Sequence, residues 1–110
     1  MSVILSDYDG SYDTFPEIRK IAQAIVTGNS WEDADDVFDM EVPLIPIFFN
    51  PVSSKENNQG KIILHKANII NLCKATKFFE DVPEEASQLR LLCPNTKIIL
   101  VPKGGKIRNI

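Results

Sequence analysis

Val3-Ile4-Leu5-Ser6-Asp7-Tyr8-Asp9-Gly10-Ser11 runs from three apolar residues into a polar turn, and a helix signature follows at once. A short apolar run bounded by Asp, Gly and Ser reads as a strand entering a loop. Thr14 and Glu17 have capping-box spacing, in which the Thr hydroxyl takes the N3 amide and the Glu reaches back to the cap. Pro16 falls in the first turn, where its missing N–H costs nothing. Ile18, Ile21, Ala22 and Ile25 then form an apolar face at helical spacing, with Gly28 as the stop.

The same alternation continues along the chain. Ser30 opens a second helix, with Asp33 three residues on and Trp31, Ala34, Val37 and Phe38 as its apolar face. Pro43-Leu44-Ile45-Pro46-Ile47-Phe48-Phe49 is extended and apolar. Pro46 lacks a ladder donor, so this is an edge strand or an extended crossing segment. Residues 50–60 read as a loop and Lys61-Ile62-Ile63-Leu64-His65 as a strand. A helix from about Asn68 to Glu80 is favoured because Asn68 is a capping residue, with Ile69-Ile70 extending the strand as the alternative.

Asp81-Val82-Pro83-Glu84 starts a further helix, with Ala86, Leu89, Leu92 and Cys93 on its face and Pro94 as its end. Thr96 to Val101 is a strand. Gly104-Gly105 turns the chain into a last strand or tail, Lys106 to Ile110. Lys-Ile-Ile-Leu occurs at 61–64 and at 97–100, either as a repeated strand–helix unit or as coincidence between two strands. The expectation is a single small α/β (or α+β) domain over residues 1–110, with a mixed sheet of four to five short strands and three to four helices.

A chain of 110 residues is long enough to bury roughly two thirds of its unfolded surface without staples. With 44% apolar and 25% charged residues it is globular in composition, not disordered. No apolar run approaches the roughly 18 residues that span a bilayer, and no basic region precedes Val3-Ile4-Leu5, so a cytoplasmic location is expected. Cys73 and Cys93 make no C-x-x-C pair and His65 is the single histidine, which argues against a disulfide framework and a zinc finger. Both thiols read as small buried apolar groups, with a Cys73–Cys93 disulfide as the alternative.

Charge is uneven. Residues 1–41 hold ten acids against Arg19 and Lys20, a balance of -8, whereas residues 42–110 balance at +5. Either a charged partner or neutralisation between the two halves accounts for this. The acids concentrate in the second helix as Glu32, Asp33, Asp35, Asp36 and Asp39. Acids in a first turn suit the helix dipole, but Asp36 and Asp39 come too late to benefit, so the run exceeds what folding needs. Lys97, Lys103, Lys106 and Arg108 have no interleaved aromatic residues. With a net charge of -3, nucleic-acid binding is not expected. No Walker loop or Gly-x-Gly-x-x-Gly is present, and no serine or cysteine motif offers His65 a nucleophile.

The strand followed by Asp7-Tyr8-Asp9-Gly10 resembles the first motif of the haloacid-dehalogenase-type phosphatases. The resemblance implies a nucleophilic Asp7, an acid/base Asp9 and a magnesium ion between them. It covers nine residues, and Ser11 stands where the motif ends in Thr. The family also needs a second acidic pair after a later apolar strand. Asp35-Asp36, the pair considered for that place, follows polar residues in a helical stretch. A calcium loop fails as well, because Gly10 comes early and position 12 is Ile18.

The leading functional expectation is therefore a small acidic binding protein, similar in gross character to immunity proteins of bacterial toxins and to phage-encoded inhibitors. It would occlude a basic protein partner, such as a toxin or nuclease, through Glu32, Asp33, Asp35, Asp36 and Asp39, with no cofactor, metal, catalytic residue or membrane involved. The alternatives are a minimal magnesium-dependent phosphatase using Asp7 and Asp9, and an accessory subunit that adds the Pro43–Phe49 edge to another sheet.

Overall fold

A computed structural model describes residues 2–38 and 43–103. Five strands, β1 (Ile4–Ser6), β2 (Ala24–Ser30), β3 (Ile47–Asn50), β4 (Lys77–Glu80) and β5 (Lys97–Leu100), form one sheet in the order β3-β2-β1-β4-β5. Every neighbouring pair is parallel, so the α/β class holds but the sheet is not mixed. The helices are α1 (Pro16–Ile21), α2 (Ala34–Val37), α3 (Gln59–Leu72) and α4 (Pro83–Leu92).

A parallel sheet needs cover on both faces, and strand residues alternate between them. Leu5, Val26, Phe78 and Ile98 pack with Ile63, Ala67 and Ile70 of α3 and Leu89 of α4. Phe79 and Val101 pack on the opposite side with Phe15 and Ile18 at α1. The central strand β1 pairs with β2 through Leu5↔Ala24 and Ser6↔Ile25, and with β4 through Leu5↔Phe78 and Ser6↔Phe79. Chain progression reverses at β1. In open α/β sheets, ligand crevices form beyond the carboxyl ends of the strands that flank such a reversal.

Three assignments change. The first helix ends at Ile21, and Ala24–Ser30, read as its continuation with a stop at Gly28, is a strand buried along nearly its whole length. Ile25-Val26-Thr27 is a β-branched run, and burial on two faces outweighs the local helical spacing.

The segment 61–80 is exchanged in type. Lys61–His65 lies inside α3, and Lys77–Glu80, read as the end of a helix, is β4. Asn58 caps α3 by accepting from Lys61 N at 3.0 Å, and Ile63, Ala67 and Ile70 form its buried stripe. The two Lys-Ile-Ile-Leu copies are thus one helix and one strand.

Neither Thr14 nor Asp81 caps a helix. α1 and α4 begin with Pro16 and Pro83 and have no side-chain cap bond. Proline at the first position needs no N–H partner and fixes φ for the helix. Ser30 does cap, accepting from Glu32 N, but it opens a 3-10 turn over Trp31–Asp33 before the short α2. Trp31 is 60% exposed instead of lying in a core stripe, and Leu92 of α4 is also exposed.

The Pro43–Phe49 segment does supply an edge strand, β3, and Pro46 O accepts from Ile25 N just before it. Cys93 is buried, Cys73 is partly buried, and both are free thiols. His65 sits in α3 with its Nε2 3.1 Å from Phe48 O, a structural contact. Asp39, the Gly104-Gly105 turn and the segment 106–110 lie outside the described residues.

Candidate functional site

Asp7 stands one residue past β1. Its amide donates to Phe79 O at 2.9 Å, so the β1–β4 pairing continues to the end of both strands. Asp81 stands one residue past β4, and a carboxylate oxygen of Asp81 lies within 4.8 Å of one of Asp7. Between them the chain makes one wide turn, Tyr8–Tyr12, closed by Tyr12 N to Asp7 O and Asp13 N to Tyr8 O. Gly10 takes φ 77° in this turn, and a Cβ there would collide with the Asp81 carboxylate. The glycine therefore serves the approach of the two acidic loops as well as the turn.

Lys66 lies on the buried stripe of α3, one helical turn before Ile70. Its Nζ is 2.8 Å from Glu80 Oε1, 2.8 Å from Glu85 Oε1 and 3.3 Å from Asp7 Oδ1. Glu80 is fully buried, and its other oxygen accepts from Asp81 N at 3.1 Å and Val82 N at 3.3 Å. Glu80 thus ties Lys66 to the loop that carries Asp81.

Burial alone would push the Lys66 ammonium down, but Asp7, Glu80 and Glu85 together hold it well above the ordinary lysine value. Burial raises Asp7 well above the usual carboxylate range. Lys66 pulls it back, while Glu80 and Asp81 push it further up. Glu80 is raised too, again chiefly by burial and against the pull of Lys66. Lys66 is thus shared among three carboxylates, Asp7, Glu80 and Glu85.

The far wall is the end of β2. Thr27, Gly28 and Asn29 line a cleft of about 190 Å³ together with Asp7, Asp9, Lys66, Asp81 and Glu85. A Cβ at Gly28 would stand 2.5 Å from Ile62 Cγ2, so glycine here lets α3 close against β2. Asp9 is exposed, and its Oδ2 accepts from Asn29 Nδ2 at 3.1 Å. A larger hollow of about 570 Å³, around Lys74, Leu92 and Asn95, is lined by no acid, histidine or cysteine.

Oxygens of Asp7, Glu80 and Asp81 lie within 4.8 Å of one another. Both Glu80 oxygens are already engaged, which leaves Asp7 and Asp81 as the pair able to hold a metal. The all-oxygen, strongly anionic donor set fits a hard cation such as magnesium or calcium.

No family model, curated protein or solved structure matches the chain.

The structure gathers Asp7 and Asp9 into this cleft but takes Glu32, Asp33, Asp35 and Asp36 elsewhere. Glu32 Oε1 accepts from Ser54 N at 3.3 Å and Asp33 Oδ2 from Ser54 Oγ at 2.9 Å, so both fasten the loop after β3. Asp35 and Asp36 are exposed on α2. The residue after α2, Phe38, packs edge-on against Tyr8 at 4.6 Å.

Sequence reading missed Thr27, Asn29, Lys66, Glu80, Asp81 and Glu85. The findable signal was Phe78-Phe79-Glu80-Asp81, an apolar run ending in an acidic pair. The pair stands at the end of an apolar strand, a context that Asp35-Asp36 lacks, but it lies in a stretch whose apolar spacing also fits a helix.

Proposed function

We propose that this chain is a magnesium-dependent phosphatase-like enzyme that transfers a phosphoryl group through Asp7. The observation that carries this reading is the Glu80-Asp81 pair at the end of β4, whose carboxylate oxygens lie within 4.8 Å of Asp7 at the end of the neighbouring β1. Asp7 and Asp81 would hold the ion. When bound, the ion would neutralise the surplus carboxylate charge and the charge of the transferred group.

In the first half-reaction a carboxylate oxygen of Asp7 attacks phosphorus and the ester P–O bond breaks. The electron pair leaves with the ester oxygen, which takes a proton from Asp9. In the second, Asp9 removes a proton from water, the water oxygen attacks the same phosphorus, and the Asp7–phosphorus bond breaks to release inorganic phosphate. Lys66 neutralises charge beside Asp7 throughout, while Glu80 and Glu85 hold it in place. The test is magnesium-dependent release of phosphate from a panel of phosphomonoesters by the full chain. Turnover should fall at least about 1,000-fold in Asp7→Asn. Turnover that survives Asp7→Asn, or is missing across the panel, would remove the reading.

A second reading, electrostatic docking to a basic protein, is favoured by the exposure of Asp35 and Asp36 on α2. It predicts a partner retained at low salt and lost on Asp35→Lys/Asp36→Lys. Retention unchanged by charge reversal would sink it. Glu32 and Asp33 contribute less to such a surface, because Ser54 occupies one oxygen of each.

A further inference from the structure

Asn29 lies at the end of β2, with its side chain between a buried hydroxyl and an exposed carboxylate. Its Nδ2 donates to Thr27 Oγ1 at 2.9 Å and to Asp9 Oδ2 at 3.1 Å, so both amide N–H bonds are used. Its backbone N–H donates to the same Thr27 hydroxyl at 3.1 Å. Thr27 is buried in the sheet, so the amide is held at two points, one of them inside the fold.

Asp9 is placed differently. It is exposed, sits in the wide turn beside left-handed Gly10, and has extended backbone angles of φ -66° and ψ 125°. A short side chain on an exposed turn has free rotamers unless something holds it. Asn29 Nδ2 takes only Oδ2 of Asp9, so the other carboxyl oxygen is left to carry the transferred proton.

We infer that Asn29 is the positioning residue that holds the Asp9 carboxyl over the cleft for proton transfer to the leaving group. The inference rests on the proposed phosphoryl transfer. An acid acts only when its proton lies within hydrogen-bond reach of the oxygen that takes it, so loss of orientation costs rate in proportion to how much the leaving group needs that proton. An aryl oxide departs with little help, whereas an alkoxide does not.

The experiment compares p-nitrophenyl phosphate with glycerol 2-phosphate, using the full chain in magnesium, for wild type and Asn29→Ala. The expected result is a kcat/KM, which reports only the steps through departure of the leaving group, lowered about 30-fold on glycerol 2-phosphate and about threefold or less on p-nitrophenyl phosphate. Equal losses on the two esters would overturn the role of Asn29 and leave the phosphoryl-transfer reading standing. A wild type idle on both esters would overturn phosphoryl transfer itself. A second measurement needs no turnover: the Asn29 side-chain amide protons are followed by NMR in wild type and Asp9→Ala. The proton bonded to the carboxylate should move upfield in Asp9→Ala, and an unmoved resonance would overturn the inference on its own.

Discussion

Lys66 shows how much one residue can hold. Its ammonium lies among Asp7, Glu80 and Glu85, which come from the ends of β1 and β4 and from the first turn of α4. All four side chains are buried. Removing one member of a buried charge cluster leaves the others unpaired in a medium that solvates them poorly, which is far costlier than losing a surface pair. Lys66→Met keeps the aliphatic stem and removes only the charge. It should destabilise the chain by about 3–5 kcal/mol at neutral pH in urea unfolding. Glu85→Gln keeps an acceptor for Lys66 and relieves part of the acid surplus, so it should cost less. If the two variants prove equally stable, the cluster does not depend on its single cation.

At the scale of elements, the site exists because α3 and β2 come unusually close. Gly28 has no side chain and Ile62 fills the space, with the methyl Cγ2 2.5 Å from where a Cβ would be. Gly28→Ala should therefore force α3 outward and cost about 1–3 kcal/mol. Ile62→Ala frees that volume, so in the double variant the Gly28→Ala step should cost less than about 0.5 kcal/mol. A step equally costly in both backgrounds would show that the contact is not the cause. The same two elements mark the limit of what the sequence disclosed. β1, the β3 edge, the start of α4 and β5 were legible, because each is bounded by Asp, Gly or Pro and has one dominant period. β2 was not, because Ile21, Ala22 and Ile25 also satisfy helical spacing, and only burial on both faces of a sheet decides against it. α3 and β4 were exchanged for a related reason: a buried helix rich in Ile and a buried strand have similar apolar runs. That one exchange concealed Lys66, which became visible only once it was one turn from Ile70, and Glu80-Asp81, which carries meaning only behind a strand. Asp7 and Asp9 were legible from their own turn. Their partners come from the other end of the chain, and no local pattern announces such a meeting.

At the scale of the molecule, the parallel order β3-β2-β1-β4-β5 directs the carboxyl ends of all the strands to one edge, and the acids of β1 and β4 meet where the order reverses. That edge is strongly acidic: Asp7, Asp9, Asp81 and Glu85 line the cleft with Lys66 as the cation among its lining residues. The fold itself is therefore expected to respond to a divalent cation. A ligand that binds only the folded state stabilises it by about 2.7 kcal/mol at 100 times its Kd, which for a domain of this size raises Tm by roughly 10 °C. Magnesium should produce such a rise in wild type. Asp81→Asn should abolish the response and, because it removes one of two carboxyls that lie close together, should also melt higher than wild type without metal. Asp35→Asn, which alters an exposed acid on α2, should respond to magnesium as wild type does. A wild-type Tm that is indifferent to magnesium, or an Asp81→Asn variant that rises in parallel with it, would mean that the carboxylates at the head of the sheet hold no ion.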